Sequence, residues 1–203
     1  FLRNNTTIPK AALGWGVRDM SVLQDKILDL QRELVATSIT YWSKHVVFTW
    51  QWWLNMATLV LPVILWWLLV DKKRLKDILI YGFIVSTFAV FLDTVGETLV
   101  LWDYPYLIIP LDYLLLDTDY SILPVAFMLA YQYFPSWKGF IIANTVISAV
   151  FSFAAEPLLV WMGFYEIHGW KYIYSFPIYI AIAIISKWMV NFVIKEQESA
   201  NDL

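Results

Sequence analysis

The chain has 203 residues, 60% of them hydrophobic and 15% charged, with a formal net charge of -3. A soluble domain carries nearer a quarter charged residues, and here the apolar surplus stands in long runs, which points to an integral membrane protein. No basic block is present, which argues against a nucleic-acid partner, and the lack of cysteine excludes disulfides, thiolate metal sites and a cysteine nucleophile.

The chain begins at Phe1 and not at Met, so it reads as a processed or partial product. Residues 1–17 are short and mixed, with no cleavable signal pattern. An N-terminal segment, 1–44, contains an amphipathic helix over 18–44. Met20, Leu23, Ile27, Leu30 and Leu34 recur at helical spacing on one face, with Arg18, Asp25, Asp29, Arg32 and Glu33 elsewhere. Two readings stand open: a helix lying on the membrane or packed on a bundle, and a short coiled coil that makes a second copy of this chain a candidate partner.

Residues 45–195 form the predicted transmembrane domain, all-α with five spans. The first is Val46–Val70, with Trp50, Trp52 and Trp53 at one end and Trp66 and Trp67 at the other, as expected of rings at a membrane boundary. The basic turn Asp71–Asp77 follows, and the positive-inside rule places it in the cytoplasm. The second span is Ile78–Trp102. Asp103–Thr118, with two prolines and three aspartates, is too broken to be a membrane helix. The third span, Asp119–Phe134, is short and contains Pro124; the fourth is Gly139–Met162 and the fifth Ile173–Ile194. Residues 196–203 are a polar tail expected to fray. Counting from the basic turn gives an outside N-terminus and an inside C-terminus. Lys138 and Lys195 then fall inside, while Lys10, Arg18, Lys26, Arg32 and Lys44 fall outside.

The second and fourth spans end alike, as Glu97-x-Leu-x-x-Trp102 and Glu156-x-Leu-x-x-Trp161, followed by Tyr104 and Tyr165. Each span begins beside a lysine and is followed by a helix opening with Ser and Pro: Ser121 and Pro124, then Ser175 and Pro177. This reads as a parallel duplication of a helix pair. In that register Glu97 and Glu156 match, each about 7–8 Å inside an interfacial Trp at the helical rise, in the outer half of the membrane.

Each long span carries a polar or small stripe: Gln51, Asn55, Thr58 and Pro62; Gly82, Ser86, Ala89, Asp93 and Gly96; Asn144, Ser148, Ser152 and Glu156; Ser175, Tyr179, Ala183 and Ser186. The small and hydroxyl residues are those that let helices approach closely. The carboxylates differ in kind, because an acid at a helix centre costs about 2.5–3.5 kcal/mol on insertion scales and normally faces the bundle interior or a water-filled cavity. Asp93 and Glu97 share a face, and Glu156 is placed to approach them. The candidate ligand- or ion-binding set is therefore Asp93, Glu97 and Glu156, supported by Asn144, Ser152 and Tyr179. No arginine lies within any span, and Lys187 sits near the cytoplasmic end of the fifth. His45 and His168 read as solvated positions, and no HExxH, Walker or GxSxG pattern occurs. No metal site and no cofactor are expected.

Several blocks carry a resemblance. Phe48-Thr-Trp-Gln-Trp-Trp53, Val70-Asp-Lys-Lys-Arg74, Leu101-Trp-Asp-Tyr-Pro-Tyr106, Tyr131-Gln-Tyr-Phe-Pro135, Ala155-Glu-Pro-Leu-Leu-Val-Trp161 and Trp170-Lys-Tyr-Ile-Tyr-Ser-Phe-Pro177 are the most specific. Over about Gly16 to Asn191 the chain resembles an uncharacterised family of small polytopic membrane proteins, found mainly in spore-forming Gram-positive bacteria. That resemblance implies a multi-pass protein of the bacterial cytoplasmic membrane and no particular activity. More weakly the chain resembles lycopene-cyclase-type membrane domains, which implies acid protonation of an isoprenoid alkene beside aromatic faces. The paired Pro-x-Glu-Glu motif of those domains is absent: Glu156 follows Ala155 and precedes Pro157. The leading expectation is a non-catalytic membrane protein that binds or moves an ion, proton or small polar ligand. A lipid- or isoprenoid-modifying enzyme and a structural or assembly protein are the alternatives.

Overall fold

A computed structural model describes residues 15–110 and 115–201. The expected segment 1–17 and Lys10 lie largely or wholly outside the described residues, as do the last two residues of the tail. The described chain is almost entirely helical, and four helical stretches are long and apolar enough to cross a membrane: Trp50–Leu69, Lys72–Thr98, Trp137–Trp161 and Tyr172–Glu196. Large apolar side chains such as Leu68, Phe83, Phe91 and Val146 are exposed on their outer faces. This is the surface a helix bundle presents to lipid and not to water.

In chain order the helices are α1 (Trp15–Tyr41), α2 (Trp50–Leu69), α3 (Leu75–Thr98), α4 (Leu123–Tyr133), α5 (Trp137–Val150), α6 (Glu156–Trp161) and α7 (Tyr172–Asn201). Two short strands, β1 (Trp102–Asp103) and β2 (Glu166–Ile167), pair antiparallel. α7 continues through most of the segment expected to fray. α1 forms, and from Met20 to Thr37 every side chain is exposed, on the apolar and the polar faces alike.

The third expected span departs from a membrane helix. It is a five-residue π-turn, Thr118–Ile122, followed by the 11 residues of α4. At 1.5 Å per residue, α4 covers about half of a 30 Å hydrocarbon core. The rest of the path is irregular backbone, and it is held by the polar stripe of α2. Trp52 Nε1 donates to Ile108 O at 2.9 Å, Asn55 Nδ2 donates to Tyr106 O, and Thr58 Oγ1 donates to Asp117 Oδ2 at 3.2 Å. Ser121 Oγ returns a bond to Thr58 O at 3.0 Å. Irregular backbone at membrane depth is tolerated only where protein supplies such partners. At its other end α4 stops level with the α2–α3 turn. There Gln132 Nε2 donates to Leu69 O at 3.0 Å and Gln132 Oε1 accepts from Asp71 N at 2.8 Å.

α3, α4, α5 and α7 form a ring in which α3 and α5 each touch both α4 and α7. The core lies at the end nearest the basic turn. Tyr81 stacks on Tyr131 with centroids 4.5 Å apart, and Phe140 meets both edge-on. Gly82 lets α3 and α4 close: a Cβ there would run into Met128. Of the two tryptophans expected to anchor this end of α2, Trp67 is exposed but Trp66 is buried in the core.

Candidate functional site

Two prolines place the acids. Pro lacks an N–H and its ring clashes with the carbonyl four residues back, so a helix must widen or bend ahead of it. The residue four before Pro157 is Phe153, inside the π-turn Phe151–Ala155, and the residue four before Pro124 is Tyr120, inside Thr118–Ile122. Each widened turn sits at a buried carboxyl: Glu156 directly follows the first, and Asp119 lies in the second. Single π-turns of this kind recur at functional sites.

The ends of two of the helices are built alike. α3 and α6 both close with a Schellman turn. In α3, Val100 is left-handed (φ 54°), Leu101 N donates to Gly96 O at 2.9 Å, and Val100 N donates to Glu97 O at 2.8 Å. In α6, Gly163 is left-handed (φ 76°), Phe164 N donates to Leu159 O at 2.9 Å, and Gly163 N donates to Val160 O at 3.1 Å. Gly163 follows Val100 by 63 residues, and Glu156 follows Asp93 by the same 63. The structural partner of Glu156 is therefore Asp93. The Glu97–Glu156 register expected from the matching Glu-x-Leu-x-x-Trp ends is displaced by one helical turn. The two tryptophans of that match confirm the displacement, since Trp102 is 9% exposed and Trp161 is 82% exposed.

The strands obey the same relation. Asp103 pairs with Glu166, its own equivalent 63 residues on, and Trp102 pairs with Ile167. Tyr104 stacks on Tyr165 at 5.2 Å. Asp93, on α3, and Glu156, at the start of α6, each lie seven residues before the left-handed residue that closes the helix, and both helices lead into the β1–β2 ladder.

Between them is a cavity of about 170 Å³ whose walls include Asp93, Asp119 and Glu156. Glu156 is 7% exposed. Its Oε1 accepts from Tyr179 Oη at 2.9 Å and its Oε2 from Ser175 Oγ at 3.0 Å, and that hydroxyl in turn accepts from Trp170 Nε1 at 2.9 Å. Asp93 Oδ1 accepts from Tyr104 Oη at 3.1 Å. Burial, and then the neighbouring acid, push the phenol of Tyr104 and that of Tyr165 far above their ordinary value, so both loop tyrosines stay protonated. Among the described residues no lysine, arginine or histidine lines the cavity. No group of three His, Cys, Asp or Glu side chains with metal-holding geometry occurs among the described residues.

The other expected members lie elsewhere. Glu97, in the last turn of α3, is half-buried and off the cavity wall; the Trp102 ring folds back over Gly96 there, where a Cβ would strike it. Asn144 and Ser152 are fully buried on α5 and its π-turn, also off the wall, and Asn144 Nδ2 bonds its own helix at Phe140 O, 2.9 Å away. Lys187 is at the opposite end of the bundle, where its Nζ donates to Pro135 O at 2.9 Å and lies 4.1 Å over the Phe140 ring. His168 is exposed. Asp119 and Trp170 line the wall and were not singled out by spacing. For Asp119 a signal existed: an acid at the head of an apolar segment that also contains proline.

No family model matches this chain, and neither curated proteins nor solved structures supply a match.

Proposed function

We propose that this is a multi-pass protein of the bacterial cytoplasmic membrane that binds or moves a small cation or polar ligand in the cavity between Asp93 and Glu156, without covalent chemistry. The observation that carries this is the convergence of two acids, from equivalent positions of two half-bundles, on one space that no basic side chain neutralises. Ionisable groups at membrane depth are costly and are kept where they serve a pathway or a ligand. With Lys72, Lys73 and Arg74 in the cytoplasm, the cavity at the other end of the bundle faces outward. α1 then lies on that outer surface, with Met20, Leu23, Ile27, Leu30 and Leu34 toward lipid.

The test is titration of the full chain in phosphatidylglycerol nanodiscs with inorganic and organic cations, read by tryptophan fluorescence, since Trp102 and Trp170 line the cavity. A saturable response that the folded Asp93→Asn and Glu156→Gln variants lose is expected. A native protein that answers to no cation would overturn the reading.

A second reading has one observation in its favour: the acids stand among aromatic rings, as a cyclase acting on an isoprenoid alkene would need. Conversion of an acyclic isoprenoid by the reconstituted protein, lost in Glu156→Gln, would establish it instead.

A further inference from the structure

The geometry points to an N-alkylated ammonium, a small organic cation such as a choline-type head, as the ligand of this cavity; the assignment rests on the cation-binding reading above. Four features exclude other chemistries in turn. The first is the state of the donors. Tyr104 is engaged by Asp93, Tyr179 and Ser175 by Glu156, and Trp170 by Ser175. Trp102 Nε1 is the wall donor left without a partner, and among the described residues no basic side chain stands on the wall, so an anion finds no charge complement here.

The second is an orphan acceptor. Asp119 is 2% exposed and lines the cavity; its carboxyl hydrogen-bonds with that of Asp93, and its buried Oδ2 is left without a partner. Two facing acids with an oxygen left over at that depth are costly to bury and are answered by a positive group beside them. The third is the space. A dehydrated metal ion needs six to eight oxygens, or an octahedron, drawn close around it. The acids here stand around about 170 Å³ and form no metal-holding group. An apolar cavity of about 150 Å³ admits a ring the size of benzene, so this one takes a head of several carbon atoms around a nitrogen.

The fourth is the rest of the wall. Trp102, Tyr104, Tyr165, Trp170 and Tyr179 line the same cavity. Aromatic faces attract a cation through the ring quadrupole, and cages of such rings hold quaternary ammonium groups. An alkylated ammonium, unlike a primary one, gives up little hydration on entering and needs no hydrogen-bond acceptor at every face. Carboxylates supply its charge complement and the rings its shape.

The experiment compares choline with 3,3-dimethylbutan-1-ol, its neutral isostere, by isothermal titration of the full chain in phosphatidylglycerol nanodiscs, beside methylammonium, potassium and calcium chlorides. Choline is expected to bind at one site per chain, about tenfold or more tighter than the isostere and than methylammonium. Tyr165→Phe keeps that affinity, and Tyr165→Leu loses about fivefold or more. If the leucine variant does not fold, the contrast between choline and its isostere in the native protein decides alone. A soluble short-chain phosphatidylcholine tells the two sources apart: tighter binding than choline assigns a lipid head, weaker binding a free solute, and both support the assignment. Equal binding of the isostere overturns it in favour of an apolar ligand. Binding of potassium or calcium without choline overturns it while leaving the acidic cavity as a cation site. Silence toward every cation overturns both.

Discussion

The two ends of the bundle both bury charge, and they do so in opposite ways. At the basic end Lys187 is enclosed by aromatic rings and by the carbonyls of Phe134 and Pro135, and Arg74 Nη1 reaches Gln132 O at 3.3 Å. The helices meet through Tyr81, Tyr131 and Phe140, and the positive groups there terminate helices and a turn. At the acidic end the helices part, two of them widened by π-turns, and carboxyls surround open space. A buried ionisable residue is thus not a site by itself. It becomes a candidate for one where the packing leaves room and the partner set leaves charge unanswered.

The largest way to break this contrast is to invert the charge at the packed end. Lys187→Glu puts a carboxylate against two carbonyls and is expected to cost about 3–5 kcal/mol, read as lost resistance to denaturant in detergent, with no folded protein left to bind. Glu156→Gln works at the other end and should separate the two properties. Cation affinity falls by about 30- to 100-fold, the loss of one charge-assisted contact, while the melting temperature stays within a few degrees. A glycine pair sharpens the comparison further. Gly82→Ala drives a methyl into Met128 and is expected to cost about 1–3 kcal/mol with affinity unchanged in the protein that folds. Gly96→Ala displaces the Trp102 ring from the cavity wall and lowers affinity more than stability. pH gives a graded test, because proton and cation compete for the same carboxylate oxygens. Affinity rises with pH across the range in which the acids ionise, by up to about tenfold per unit for each proton released, and calorimetry in buffers of different ionisation heat counts those protons. The smallest effect belongs to α1: Leu30→Ser, on a side chain that touches no part of the bundle, changes stability by less than about 0.5 kcal/mol and leaves cation affinity as it was.

Much of this plan was legible in the residues. Long apolar runs and the cluster Lys72-Lys73-Arg74 marked the helices and their shared turn, and the cost of acids in such runs marked Asp93 and Glu156. Tyr179 was picked out by its place on the polar stripe of α7, and it does bond Glu156. The misreadings have local causes. α3 ends on Val100 in a left-handed conformation that a β-branched residue rarely adopts, so nothing in the sequence announced a stop there. Gly163 does announce the stop of α6. Aligning the two segments by their Trp residues therefore set Glu97, already singled out as an acid on the face of Asp93, opposite Glu156, one turn from the correspondence that the helix ends give. Asn144 and Ser152 share a helix face with Glu156 by spacing, but the π-turn between Phe151 and Ala155 shifts that face before Glu156 is reached. The short α4 was missed as a half-depth helix because composition does not report that α2 would shelter the irregular chain leading into it.

The pairing of Asp103 with its own equivalent, Glu166, has a consequence for ancestry and design. A strand that pairs with its own copy across an axis is what two separate, identical chains would form, so a half-length protein could close the same ladder as a homodimer. Such a dimer would be bound to place identical acids on both walls. Joining the halves in one chain removes that obligation: Asp119 stands on one side only, and no acid of α7 answers it on the other. The described walls of the cavity are therefore unlike on their two sides, which two identical half-chains could not make.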